Sequence, residues 1–282
     1  MASMRDIKRR KSSIQSTGQI TKAMKLVSTV KLQKAKVKAE QTRPYSNCMY
    51  DTVQSILERC DTVQHPYLQG GDSPKKAVIV LTSNRGLAGG YNSNVVKLIT
   101  RGELANEDLD IYAVGKKGKD ALARAGYNIK MDSSQIVEEP TYADAAALGR
   151  VVLSSFAKGE IGEIWIAYTS FKNTVMHEPR LMKLLPVERE EGERQLEAPM
   201  NFEAEEESIL DMLIPNYITS LIYGGLLEAS ASENGARMQA MDSATSNAEE
   251  MIEDLTLLYN RARQGSITQE LTEIIAGASA IS

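Results

Sequence analysis

MDSATSNAEEMIEDLTLLYNRA, running from Met241 to Ala262, sets the architecture expected of the whole chain. Within it Met241, Thr245, Ala248, Ile252, Leu255, Tyr259 and Ala262 recur at alternating steps of four and three residues. That spacing keeps one seam of a helix against a partner helix along its length. Carried backward, the same register meets Met238, Ala231, Leu227, Tyr217, Leu213 and Leu210, with polar or glycine residues at the other seam positions. The chain from Ser208 onward therefore predicts one helix of about 60 residues, on the order of 90 Å long. Pro215 is expected to start or kink it, and Gly224-Gly225 to weaken it. Glu249, Glu250, Glu253 and Asp254 spread over its faces, the pattern of a solvated surface.

Such a helix needs a partner, and the other end of the chain supplies one. Between Ala2 and Arg59 the only glycine is Gly18 and the only proline Pro44, in a stretch rich in Lys, Gln and Ala. This composition favours a helix of about 50 residues, roughly 75 Å long. Ala23, Val27, Val30 and Val37 give it an expected apolar stripe, interrupted by Lys34. Residues Met1 to Arg43 hold twelve Lys or Arg against Asp6 and Glu40, whereas Ser208 to Ser282 holds ten acidic residues against three Arg. Packed antiparallel, two helices of opposite sign suit each other, with charge setting orientation more than stability.

The middle has a different period. His65-Pro66 and Gly70 to Pro74 read as loops. Strands are predicted at Ala77–Leu81, Ile111–Val114, Tyr127–Met131 and Ile164–Tyr168, with helices at Asn94–Thr100, Lys116–Ala125 and Tyr142–Phe156. Strand and helix in alternation predict a mostly parallel sheet with helices on its faces. A last strand, Arg180–Leu185, is placed at the sheet edge because Pro186 ends it. Glu188 to Glu207, nine Glu against two Arg, is read as an exposed acidic connection. The expected organisation is thus an N-terminal helix over residues 1–60, an α/β domain over 74–187 and a C-terminal helix over 208–282.

Composition bounds the function. A chain of 282 residues, 42% hydrophobic and 25% charged, suits about two structural units. Cys48 and Cys60 are too far apart for a CxxC pair and make no disulfide framework, which points to a reducing compartment. No run approaches the roughly 18 apolar residues of a membrane span, and the basic start lacks the apolar core of a signal peptide. Ser83 to Gly90 is glycine-rich and follows the first strand, where phosphate loops occur. It lacks the Gly-Lys-Ser/Thr close of a P-loop, and Ala88 stands where the dinucleotide pattern needs glycine. It is read as a structural or protein-contact turn.

His65 and His177, the only histidines, have no second ligand at metal spacing and are read as loop or surface residues. No catalytic set, cofactor site or metal site stands out. The basic first helix has only Tyr45 and Tyr50 near its end, so an acidic protein partner is at least as good a reading as nucleic acid. A nucleotide-using α/β enzyme with helical oligomerisation arms is the other reading left open by these residues. The end, Ile274 to Ser282, has no charged side chain and is apolar or small throughout, which suits enclosure by another protein. Arg261, Arg263, Gln264, Thr268 and Glu270 precede it with groups for directional contacts.

Several motifs together resemble one family over nearly the whole chain: Asp6-Ile7-Lys8-Arg9-Arg10, Ile20 to Ser28, Ser83 to Gly90, Gly235 to Met241, Tyr259 to Gln264 and Ile267 to Glu270. They resemble the gamma subunit of F-type ATP synthases. The resemblance implies a Rossmann-like central domain and a coiled-coil shaft entering a ring of alternating alpha and catalytic beta subunits. It also implies a foot near the epsilon subunit and the c ring, on the cytoplasmic face of a bacterial membrane and without a transmembrane segment or nucleic-acid partner of its own. Proton or sodium flow would turn the shaft, and the chemistry would belong to beta, leaving this chain non-catalytic and without cofactor. By matching motif, Met24, Lys25, Arg237, Arg263, Gln264, Thr268 and Glu270 are expected to face the ring. Two departures stand out: Ala88 where many members have Cys, and Gly265-Ser266 where Ala is common. The absence of an inserted cysteine pair favours a bacterial-type chain.

Overall fold

The computed structural model describes residues 4–59, 65–71, 73–104, 108–187 and 206–281. In chain order the elements are α1 (Met4–Arg59), α2 (Pro66–Gln69), β1 (Lys76–Leu81), α3 (Tyr91–Arg101), β2 (Leu109–Val114), α4 (Lys116–Arg124), β3 (Asn128–Asp132), a 3-10 turn (Ser134–Ile136), α5 (Tyr142–Ala157), β4 (Glu163–Phe171), β5 (His177–Leu185) and α6 (Glu206–Ile281). The acidic connection expected over Glu188 to Glu207 lies almost entirely outside the described residues. Two compact units result: Thr29–Arg237, and Met1–Ser28 with Met238–Ser282.

The sheet of the larger unit has the order β3-β2-β1-β4-β5, parallel throughout except for the β4–β5 hairpin. β1 lies at its centre, and from Ala77 to Leu81 its residues are apolar on both faces, as a strand covered on both sides requires. Val78 and Val80 point to the layer of α3 and α4, where Val95, Ile99 and Leu122 are buried. Ala77, Ile79 and Leu81 point to the other layer, built from Val53, Ile56 and Leu57 of α1, Leu148, Val152 and Phe156 of α5, and Ile214, Ile218, Ile222 and Leu226 of α6. β5 starts before the expected Arg180 and tolerates Pro179 because it is an edge strand. α5 begins with a capping box between Thr141 and Asp144.

α6 differs from its expected form in its first third. Pro215 neither starts nor ends it; the helix runs through, and the Thr219 hydroxyl donates to the Pro215 carbonyl at 2.8 Å. Gly225 is a packing device: a Cβ there would stand 3.1 Å from Cδ1 of Ile166, so the missing side chain lets the helix lie directly on the sheet. By length and composition, one stretch of α6 could cross a membrane, contrary to expectation, but half of it is buried inside the protein. Its apolar character belongs to packing here. His65 also corrects the sequence reading. It is buried, its Nδ1 accepts from the Tyr67 amide to cap α2, and its Nε2 lies 3.2 Å from Asp211. His177, expected as a loop or surface residue, sits on β5 beneath α6, with Nε2 buried where a Cβ on Gly235 would strike it.

In the smaller unit the two helices run antiparallel. A Cβ on Gly18 would lie 3.4 Å from that of Ala248, the Thr21 and Thr245 hydroxyls are 2.8 Å apart, and Lys25 Nζ meets Asp242 at 2.5 Å. Met241, Ala248 and Leu255 are buried along the α6 seam. The seam of α1 is not the expected valine stripe. Thr21 and Ser28 are buried, followed in the larger unit by Leu32 and Ala35, whereas Ala23, Val27, Val30 and Val37 are exposed and Val30 reaches 69% exposure. Thr21 takes the seam position because its hydroxyl meets that of Thr245 across the pair, and Gly18, one turn away, leaves room for Ala248. Charge complementarity between the helices is also less than expected. Lys31 and Lys34 form their ion pairs with Glu138 and Glu139, at 3.7 and 2.8 Å, and of the two only Lys31 also acts on an α6 carboxylate, Glu233, among the described interactions.

Candidate partner interface

The register between α1 and α6 sets what is left uncovered. Gly18 faces Ala248 and Lys25 faces Asp242, so Met4, where the described part of α1 begins, comes level with Ala262. From Arg263 to Gly277, α6 continues with no described α1 residue opposite it. Arg263, Gln264, Thr268 and Glu270 lie on this stretch and all are exposed. Thr268 donates to the Gln264 carbonyl at 2.9 Å, and Glu270 accepts from Ser266 at 3.4 Å, so both polar side chains are steadied by their own helix. Between them Ile267, Leu271, Ile274 and Ile275 are exposed, Ile274 at 67%. A Cβ on Gly265 would have nothing within 4 Å, so no packing among the described residues requires a glycine there.

Met24 and Lys25 are half-buried on α1 of the same unit, Lys25 through its ion pair with Asp242. Arg237 is placed quite differently. Its side chain and that of Glu233 are each 12% exposed, joined at 2.7 Å one turn apart on α6, and Arg237 Nη2 donates to the Gly86 carbonyl at 3.4 Å. Burial raises the Glu233 carboxyl above its usual range, and the Arg237 charge opposes that shift. Six of the seven expected contact residues therefore lie on surfaces open or half-open in this chain, four of them on the exposed stretch of α6, while Arg237 is engaged internally.

Gly86 belongs to the turn Ser83–Gly90, whose polar groups are used by the chain itself. The Ser83 amide and hydroxyl donate to Asn92 Oδ1, at 2.9 and 3.0 Å, and Asn84 donates to the Ser134 carbonyl while accepting from the Lys116 amide. Arg85 reaches Glu138 at 3.4 Å, and Ala88 is buried. Leu87 is the exception: 63% exposed, it sits at φ 63°, a left-handed conformation that side chains other than glycine rarely adopt. Leu87 and the outward apolar stripe of α1 are what sequence reasoning missed. Periodicity could find the stripe but not say which face it occupies, and no local signal marks a leucine that a turn forces outward.

Among the described residues no group of three His, Cys, Asp or Glu side chains is placed to hold a metal ion. What the geometry offers instead is contact: a sheet domain, a two-helix arm, and an apolar helix end bearing steadied polar groups. Fold and surface together define a subunit of a larger assembly. The family model described as ATP synthase matches residues 3–281. The ATP synthase gamma chain of Lachnoclostridium phytofermentans is 63% identical, covering 100% of both chains, and that of Alkaliphilus metalliredigens is 43% identical, covering 99% and 98%. Among solved structures, the central stalk and c ring of the Tetrahymena thermophila mitochondrial ATP synthase includes a chain with TM-score 0.61 and 27% identity, covering 80% of this chain and 99% of that one. A chain of the Euglena gracilis enzyme has the same fold, with TM-score 0.68 and 20% identity over 99% and 94%.

This chain belongs to the ATP synthase family as a gamma subunit, the central stalk of the F-type enzyme.

Proposed function

We propose that this subunit couples ion-driven rotation of a membrane c ring to conformational cycling of catalytic beta subunits. The coupling ion is a proton or sodium; one relative at 40% identity is named as sodium ion specific. In this reading alpha and beta subunits surround the far end of α6, the larger unit adjoins epsilon and the c ring, and the assembly stands on the cytoplasmic face of the membrane. The observation that carries it is the exposed stretch from Arg263 to Gly277, where apolar side chains and steadied polar groups share one helix that the described residues leave uncovered. Arg263, Gln264, Thr268 and Glu270 would make directional contacts with the ring there, and Met24 and Lys25 would do so from α1. A rotor works only if its contacts differ between the states of its partners, because equal contacts shift no population.

The test is a single-molecule one. The chain, with Cys48 and Cys60 replaced and a cysteine introduced near Lys116, is assembled with alpha and beta subunits, the ring is fixed to glass, and a bead is attached. Stepwise rotation in one direction on adding ATP is the expected result. Hydrolysis with a bead that fluctuates and never advances would sink the proposal. Calorimetry of the isolated chain with ATP, ADP or NAD should give no heat, since the groups of the Ser83–Gly90 turn are already engaged.

A further inference from the structure

We propose that Arg237 is a positioning residue for the turn Ser83–Gly90, acting through that turn rather than by reaching a neighbouring subunit. The inference rests on the rotor reading for its functional part and on the geometry of the larger unit for the rest. Ala229, Glu233 and Arg237 follow one another at four-residue steps along a single face of α6. The first holds one end of the turn: the Tyr91 hydroxyl, buried where the turn enters α3, donates to the Ala229 carbonyl at 3.2 Å. The last holds its middle through the Gly86 carbonyl, next to Leu87, while Glu233 anchors the guanidinium from one turn back. Glu138 joins Arg85 of the turn to Lys31 of α1.

Between these ties the turn leaves one large apolar side chain mostly exposed among the described residues, Leu87. A leucine at positive φ persists only where its surroundings hold it there. Arg237, at one flank of the turn and almost fully covered, has the donors and the location to do so. Its charge is spent on Glu233 and its reach on Gly86, which leaves little of it for a partner. The turn it holds presents a large apolar side chain to solvent.

Comparisons are made in the unsubstituted chain and again in a Glu233→Gln background, where removing Arg237 leaves no buried carboxylate. In the full chain, Arg237→Ala should speed hydrogen exchange over Ser83–Tyr91 by about tenfold without changing the rest of the sheet, and Arg237→Lys should restore part of the protection. In the reconstituted complex, ATP hydrolysed per ion moved is then measured for Leu87→Ala, Arg237→Ala and both together. If Arg237 acts through the turn, the double variant is no worse than the worse single one. Losses that multiply, unchanged exchange in the turn, or a Leu87→Ala variant with normal coupling would each overturn the assignment. An unsubstituted complex that fails to rotate would instead remove the rotor reading, and the exchange result would stand apart from it.

Discussion

Two stretches of α6 carry the same kind of residue and treat it in opposite ways. Ile214, Ile218, Ile222 and Leu226 are buried against the sheet, α5 and α1, whereas Ile267, Leu271, Ile274 and Ile275 stand in solvent. Helix propensity is satisfied in both, so the difference lies in what surrounds the helix. Where this chain supplies neighbours, apolar side chains build its core and contribute to its stability. Where the described residues supply none, the same side chains stay in water, the kind of exposed apolar surface that marks interaction sites.

Truncating one isoleucine in each stretch tests the contrast most directly. Ile222→Ala should cost about 2–5 kcal/mol in urea unfolding of the full chain, since it opens a cavity in a packed layer. Ile274→Ala should stay within about 0.5 kcal/mol. Equal losses would mean that the far end of α6 is packed within this chain after all.

A pair of glycines probes the same contrast through the backbone. Gly225→Ala sets a methyl against Cδ1 of Ile166, so overpacking of about 1–3 kcal/mol offsets the helix gain of about 1 kcal/mol and stability should fall or stay level. Gly265→Ala meets nothing and should add local helix stability of about 1 kcal/mol, read as greater helicity and slower hydrogen exchange around Ser266. If both substitutions changed stability in the same direction, contact with the sheet would not be what separates the two stretches.

Gln264→Leu tests the partner side. It should leave the melting temperature of the free chain unchanged and weaken assembly with alpha and beta by about tenfold, roughly 1.4 kcal/mol, if Gln264 makes an interface contact. Normal assembly and normal coupling in that variant would remove Gln264 from the contact set.

The smallest expected effect concerns pH in the larger unit. Lys119 and Ser134 hold the Asp132 carboxyl down at about 2, against its ordinary 3.8. A depressed carboxyl stabilises the folded state above its unfolded value, so this contribution is full above about pH 4 and is lost as pH falls toward 2. Asp132 is more than a third exposed, and solvent screening limits the effect to a few tenths of a kcal/mol. Asp132→Asn should flatten that part of the acid unfolding curve and leave neutral-pH behaviour nearly untouched.

Much of the fold was legible because it depends on local pattern. The short apolar run Ala77–Leu81, bounded by turn residues, and the four-three steps from Met241 to Ala262 each name their element without reference to anything distant. The candidate interface was legible only in part. Gln264 and Thr268 were marked by their place before the apolar end and again by motif resemblance, and both are open on α6. Arg237 came from the same resemblance, yet its partner Gly86 could not be read from spacing because it lies 151 positions away along the chain.

Local signals were enough to establish that both ends are helical, that the middle is a mostly parallel sheet, and which family the motifs belong to. These follow from periodicity, turn residues and short motifs, all of which act over a few positions. Which face of α1 lies against α6, which glycines are needed and which charges find partners emerge only from the packed molecule. Val30 and Thr21 are both compatible with a helix seam by spacing. What decides between them is the partner each meets: Thr21 is buried beside Gly18 and Ala248 with its hydroxyl 2.8 Å from that of Thr245, 224 positions away along the chain, a partner no local signal names.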